Sequence, residues 1–229
     1  MQMQPYLITA TLLLALFGCA DREANRPVAA PAATVDRTAS TTQSATTNPS
    51  HAWAEGKQLF YELISGQSKS TDASQRYWQR AADAQPDAVV PQAYLGATNM
   101  MASAHSRWLP TKGQLARTGL KQLDAAVAAD PENVEVRFLR GMTSYNLPGF
   151  FERGAIAAED LAFVAGRAKE AVASQQLLPG QGAAALYHHG LLREVAKDRA
   201  TARQAWQDAI AIAPDSAPAK AARERLNEN

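Results

Sequence analysis

Only one cysteine, Cys19, occurs in the 229 residues, which excludes an internal disulfide and any multi-cysteine metal site. Long hydrophobic runs are missing as well. The apolar stretch Tyr6–Phe17 falls short of the roughly twenty residues a helix needs to cross a bilayer, and has the length of a signal-peptide core. Its leading segment, MQMQP, lacks the Lys or Arg usual at such a start. Charge of one sign is not in excess either: 23 Lys and Arg face 22 Asp and Glu, so no global field draws the chain to nucleic acid or calls for an acidic substrate. There is no Walker loop, no His-Glu-x-x-His pattern and no nucleophile elbow. Gly180-Gln181-Gly182 is too short for a dinucleotide cradle and lacks the strand-to-helix setting.

What is present begins with Leu16, Phe17, Gly18 and Cys19. A small residue leaves the backbone open to cleavage, and a thiol is a better nucleophile than a serine hydroxyl. The four residues resemble the Leu-x-Gly-Cys lipobox of bacterial lipoproteins. That resemblance implies cleavage after Gly18 and a covalent lipid on Cys19, with no other cofactor. Two or three acyl chains make such an anchor durable, because each buried methylene contributes about 0.8 kcal/mol. Ala20 follows the cysteine, and Asp21 is one place too late for an inner-membrane retention signal. By resemblance the destination is the periplasmic leaflet of the bacterial outer membrane.

Residues 21–50 hold few large apolar side chains and many Ala, Thr, Ser and Pro, too little to offset the entropy of ordering a core. The expected organisation is a signal peptide over residues 1–18, a lipidated N-terminus and disordered tether over 19–50, and a helical domain over 51–227.

From His51 onward apolar residues recur at three- and four-residue spacing. This predicts helices over Ala52–Ile64, Thr71–Gln85, Ala88–His105, Thr111–Ala129, Asn133–Asn146, Gly154–Gln176, Gly182–Lys197, Arg199–Ala213 and Ala217–Leu226. Pro86, Pro131 and Pro214 stand where periodic runs stop, as expected for a residue without a backbone donor. Asn133 and Ser216 are placed to cap the helices that follow them.

The breaks suggest internal repetition. Counted from Ala183, the last unit has Leu186 fourth, His189 seventh, Gly190 eighth, Ala202 twentieth, Trp206 twenty-fourth, Ala209 twenty-seventh and Pro214 thirty-second. Gly190 and Ala202 allow a close crossing, while Leu186 and Trp206 fill the space between two helices. The unit resembles a tetratricopeptide repeat, with Arg193 replacing a common aromatic. Leu123, Ala126 and Pro131, with Gly119, match the second half of an earlier unit; Ala73, Tyr77, Ala81 and Pro86 follow the same order, and Val136, Leu139 and Gly141 suggest another first helix. The resemblance implies an all-α fold: a right-handed α-α superhelix of three or four degenerate helical hairpins with irregular connections and a concave binding face. An ordinary bundle of amphipathic helices is the alternative.

For chemistry, His188 and His189 lie near Arg193, Glu194 and Asp198. Adjacent helical residues point about 100° apart, so the two imidazoles do not form a metal-ligand pair. His189 falls at a packing position, and His188 is expected at the surface. Two connections combine anchors with cations: Asn99–Gln114, with Met100, Met101, Trp108, His105, Arg107 and Lys112, and Tyr145–Gly154, with Phe150, Phe151 and Arg153. Their aromatics either lock neighbouring repeats or meet a partner or membrane. Arg107, Trp108, Arg140, Arg153 and His188 are the candidate partner contacts. Tetratricopeptide repeats commonly act as scaffolds, so the resemblance implies a non-catalytic adaptor for an envelope protein or peptide, held to the bilayer by its acyl anchor and binding no nucleic acid. The alternative is an accessory envelope enzyme or a metal- or lipid-binding lipoprotein.

Overall fold

A computed structural model describes residues 53–228. Gly18, Cys19 and the expected tether lie outside the described residues. Among the described residues the fold is all-α: α1 (Ala54–Ile64), α2 (Asp72–Ala84), α3 (Val89–His105), α4 (Leu109–Ala129), α5 (Val134–Tyr145), α6 (Gly154–Ala173), α7 (Pro179–Val195), α8 (Arg199–Ile212) and α9 (Ala217–Glu228), with a single 3₁₀ turn at Gly149–Phe151.

Consecutive helices pack as pairs, α1 with α2, α3 with α4, α5 with α6 and α7 with α8. The second helix of each pair also touches the first helix of the next, and α3, α5, α7 and α9 pack side by side in that order. Three apolar clusters follow the chain: one around Phe60, Trp78, Tyr94 and Leu123, one around Phe138, Leu161 and Ala184, and one around Leu186, Ala202 and Trp206. Each cluster is built by neighbouring pairs, so the order of packing is the order of sequence. In the first, Trp78 stacks on Tyr94 at 4.4 Å, and Phe60 meets Tyr94 edge-on at 5.0 Å. Such ring pairs add about 0.5–1.5 kcal/mol beyond the area they bury.

A glycine lies at the crossing within every pair. A β-carbon on Gly190 would fall inside the Trp206 indole, and one on Gly56 inside the Tyr77 ring. On Gly96 it would sit 2.8 Å from the Gly119 carbonyl, and on Gly141 2.9 Å from the Asp160 β-carbon. The Gly190–Trp206 contact and the buried Ala202 agree with the packing expected from the spacing of the last unit.

Asn133 accepts from the Val136 amide at 3.1 Å, and Ser216 from Ala219 at 3.3 Å, so both expected caps form. Two helix starts differ from expectation. Leu109 and Pro179 begin α4 and α7, each with proline in the first turn; there the missing N–H costs nothing and the fixed φ favours the helix. Two ends come early, because Gln175 and Lys197 both take the left-handed conformation at φ 62°. That terminates a helix without the glycine that would have marked it.

Candidate functional site

The first helices of the pairs meet in a polar cluster. Glu135 at the start of α5 accepts from Tyr94 of α3 at 2.7 Å and pairs with Lys57 of α1 at 2.8 Å. The Tyr94 and Tyr61 hydroxyls are 3.3 Å apart. Gln181 of α7 accepts from the Leu178 amide at 2.7 Å and donates its own amide to the Tyr61 hydroxyl. One chain of contacts therefore joins α1, α3, α5 and α7. Burial, with the Glu135 carboxylate nearby, pushes the Tyr61 phenol above its usual range, and burial followed by Tyr61 and Glu135 does the same to Tyr94. Both hydroxyls are held neutral as bonding groups.

Around this cluster the first helices are tightly covered. Tyr94, Ala97, Val136 and Leu139 are almost fully buried, and the Tyr61–Gln181 bond spans from the first pair to the fourth. These side chains are covered by the protein's own residues and offer no surface to an extended ligand. His188 belongs to the same interior. The expectation of an exposed His188 is overturned: it is 1 % exposed, with its ring 4.6 Å from Tyr145 and 5.2 Å from Tyr187. His189, expected in the packing position, is half-buried. A rotation of one residue along α7, about 100°, exchanges their environments.

Arg140 and Arg153 are engaged inside the fold. Arg140 grips the fully buried Asp160 with bonds of 2.7 and 2.9 Å, and Arg137 adds one of 3.1 Å to the same carboxylate. Burial is the largest influence on Arg140 and lowers its pKa, but the hydrogen bond and charge of Asp160, with Asp124 and Glu159 nearby, together outweigh it and the net shift is upward. Arg153 binds Asp124 of α4 through both terminal nitrogens, at 2.9 and 2.6 Å. These fork-to-carboxylate pairs fasten α6 to α5 and the start of α6 to α4.

Arg107 and Trp108, by contrast, are exposed in the connection between α3 and α4. They have company. Trp108 is 69 % exposed, Leu109 78 %, Phe150 79 % and Val195 83 %, and all four lie at or beside connections within pairs. Since α3, α5 and α7 pack side by side, the connections at their C-terminal ends fall along one edge of the array. That edge also carries Lys69, Lys112, Lys197 and Arg199, all exposed. The connections between pairs, residues 85–88, 130–133, 174–178 and 213–216, contain Asp87, Asp130, Glu132 and Asp215 and no Lys or Arg.

A surface groove of about 400 Å³ opens at that second, acidic edge, lined by Pro86, Val89, Gln92, Lys121 and Ala125 among others. Beside it, Gln75 donates to Asn99 at 2.9 Å and Asn99 to Gln122 at 2.8 Å, a ladder of amides that holds α2, α3 and α4 in register. The groove exists because α4 presents Ala125 and Ala129, four residues apart on one face, opposite the Pro86 turn. Small residues at that spacing are its only signal in the sequence, and alanine is common in any helix. No protein-family model, curated protein or solved structure matches this chain. Among the described residues no three of His, Cys, Asp and Glu gather where they would hold a metal ion, and no helix is long and apolar enough to cross a membrane.

Proposed function

We propose that the protein is a lipid-anchored scaffold of tetratricopeptide-like pairs, held by Cys19 in the periplasmic leaflet of the outer membrane, that docks a segment of an envelope protein. The observation that carries the reading is the groove between the Pro86–Val89 turn and α4. Its apolar walls exclude water from an inserted side chain, while Gln92 and Lys121 offer polar contacts that orient a peptide backbone or carboxylate. The ordered stack of pairs supplies a rigid frame for it, with the buried ion pair of Asp160 and the partly exposed one of Asp124 as fasteners. A superhelical stacking of the pairs, with which the packing of consecutive helices is consistent, and the lipobox resemblance complete the reading, and the site lies at the acidic edge.

A photo-crosslinking residue at Gln92, in the native envelope, is expected to capture one reproducible protein. The same residue at Arg80 on the exposed side of α2 is not, and adding Ala125→Trp, which fills the groove from an exposed position, abolishes the adduct. Fatty-acid labelling lost in Cys19→Ser tests the anchor separately. An absence of any protein adduct from Gln92, together with turnover of a defined substrate by the purified chain, overturns the scaffold in favour of an enzyme.

A further inference from the structure

The edge opposite the groove has a composition that the scaffold reading does not use. We propose that the within-pair connections form a face that lies on an anionic lipid surface. Trp108 between α3 and α4, Leu109 at the start of α4, Phe150 between α5 and α6, and Val195 at the end of α7 project large apolar side chains into solvent. Folding has not used them: Trp78 and Trp206 are buried to within 1 %, so the chain that hides two indoles leaves Trp108 outside.

Around these four tips stand Lys69, Arg107, Lys112, Lys197 and Arg199, all exposed. Acids stand at the same connections and helix ends too, Asp72, Glu152, Glu194 and Asp198, but Glu194 is already paired with Arg225 and Asp198 with Arg193. Bonds from Arg193 and Thr201 hold the Asp198 carboxyl down to about 2, so that pair is formed across the physiological range. Aromatic tips with flanking cations are the composition that settles at the headgroup level of a bilayer, the rings entering the boundary and the cations meeting anionic headgroups.

Shape and charge both favour a lipid plane over a protein segment as the occupant. The apolar side chains are strung over three successive connections, one or two at each, so a plane can touch all of them while no single concavity gathers them. The opposite edge, with Asp87, Asp130 and Asp215 beside the Glu132–Arg167 pair, is repelled by the same anionic surface, which gives the array one orientation. The α3 helix, 17 residues and so about 25 Å long, separates Trp108 from the groove. With the basic edge down, the groove faces away from the bilayer. This inference does not require acylation of Cys19, which would only keep the edge close to the surface.

Trp108 is its own probe. The full chain is mixed with phosphatidylethanolamine/phosphatidylglycerol vesicles carrying brominated acyl chains, and indole quenching is compared between the native chain and Trp108→Phe. Quenching that disappears with Trp108→Phe, and that falls in phosphatidylcholine vesicles, is the expected result. Replacing Arg107, Lys112, Lys197 and Arg199 together by Glu is expected to weaken the Trp108 quenching about tenfold or more in vesicle titrations, with unchanged far-ultraviolet circular dichroism. Vesicle-bound chain whose Trp108 stays unquenched overturns the edge contact while leaving the anchor standing. Equal quenching in phosphatidylcholine overturns the anionic preference and with it the proposal. Protection of Trp108 only by a captured protein would assign the edge to a partner, and overturns it as well.

Discussion

Tyr94 and Glu135 are joined across α3 and α5 by a 2.7 Å hydrogen bond from phenol to carboxylate, and neither side chain reaches bulk water freely. Because Lys57 of α1 holds the same carboxylate, this one acid is common to three pairs. Glu135→Leu leaves the Tyr94 hydroxyl and the Lys57 ammonium without that acceptor, and is expected to cost about 1–3 kcal/mol. Tyr94→Phe removes the donor too and is expected to cost less. A double-mutant cycle by urea denaturation checks it, and additive losses would mean that the bond contributes nothing of its own.

The contact of Gly190 with the Trp206 indole leads to a second expectation. Gly190→Ala places a methyl group inside the ring's volume, so α7 and α8 must separate, at about 1–3 kcal/mol as in other overpacked cores. Intrinsic helix propensity runs the other way, since alanine is favoured over glycine by about 1 kcal/mol. A net loss of stability therefore isolates the close crossing. Trp206→Leu in the Gly190→Ala background is expected to recover part of the loss relative to the sum of the single changes, measured by thermal unfolding.

Acid sensitivity is expected at His189. Burial, with the Arg193 guanidinium nearby, holds its pKa below the ordinary 6.5, against a smaller upward pull from Asp198. As pH falls through about 6.5, the unfolded chain takes up this proton before the folded one does, so stability is full above that value and declines below it until the folded site titrates as well. His189→Gln is expected to flatten the slope of stability against pH between 7 and 5. An unchanged slope in urea midpoints taken across that range would place the titration elsewhere.

The helices were legible because apolar spacing at three and four residues records which face of each is buried, and the prolines at 86, 131 and 214 mark their ends. At Pro110 and Pro179 two helices begin earlier than the expected Thr111 and Gly182: the same residue that stops a helix also opens one, and which it does depends on the backbone before it. The early ends at Gln175 and Lys197 had no glycine to announce them. Arg140 and Arg153 looked like free cations since their partners, Asp160 and Asp124, lie 20 and 29 positions away, where no local pattern links them. Arg107 and Trp108 kept the exposure their connection implied.

Sequence alone determined the all-α class, the succession of pairs and the Gly190–Trp206 crossing of the last pair, because these depend on residues within a few turns of one another. It determined the charge sorting as well, since acids accompany the prolines that separate pairs. Tertiary structure decided that Tyr94, Val136 and Leu139 are covered, that His188 lies inside and His189 half outside, and that large apolar tips from three connections share one edge. Those outcomes depend on how far each pair rotates on the last, which is set by side chains such as Tyr61 and Gln181 meeting across 120 positions of chain.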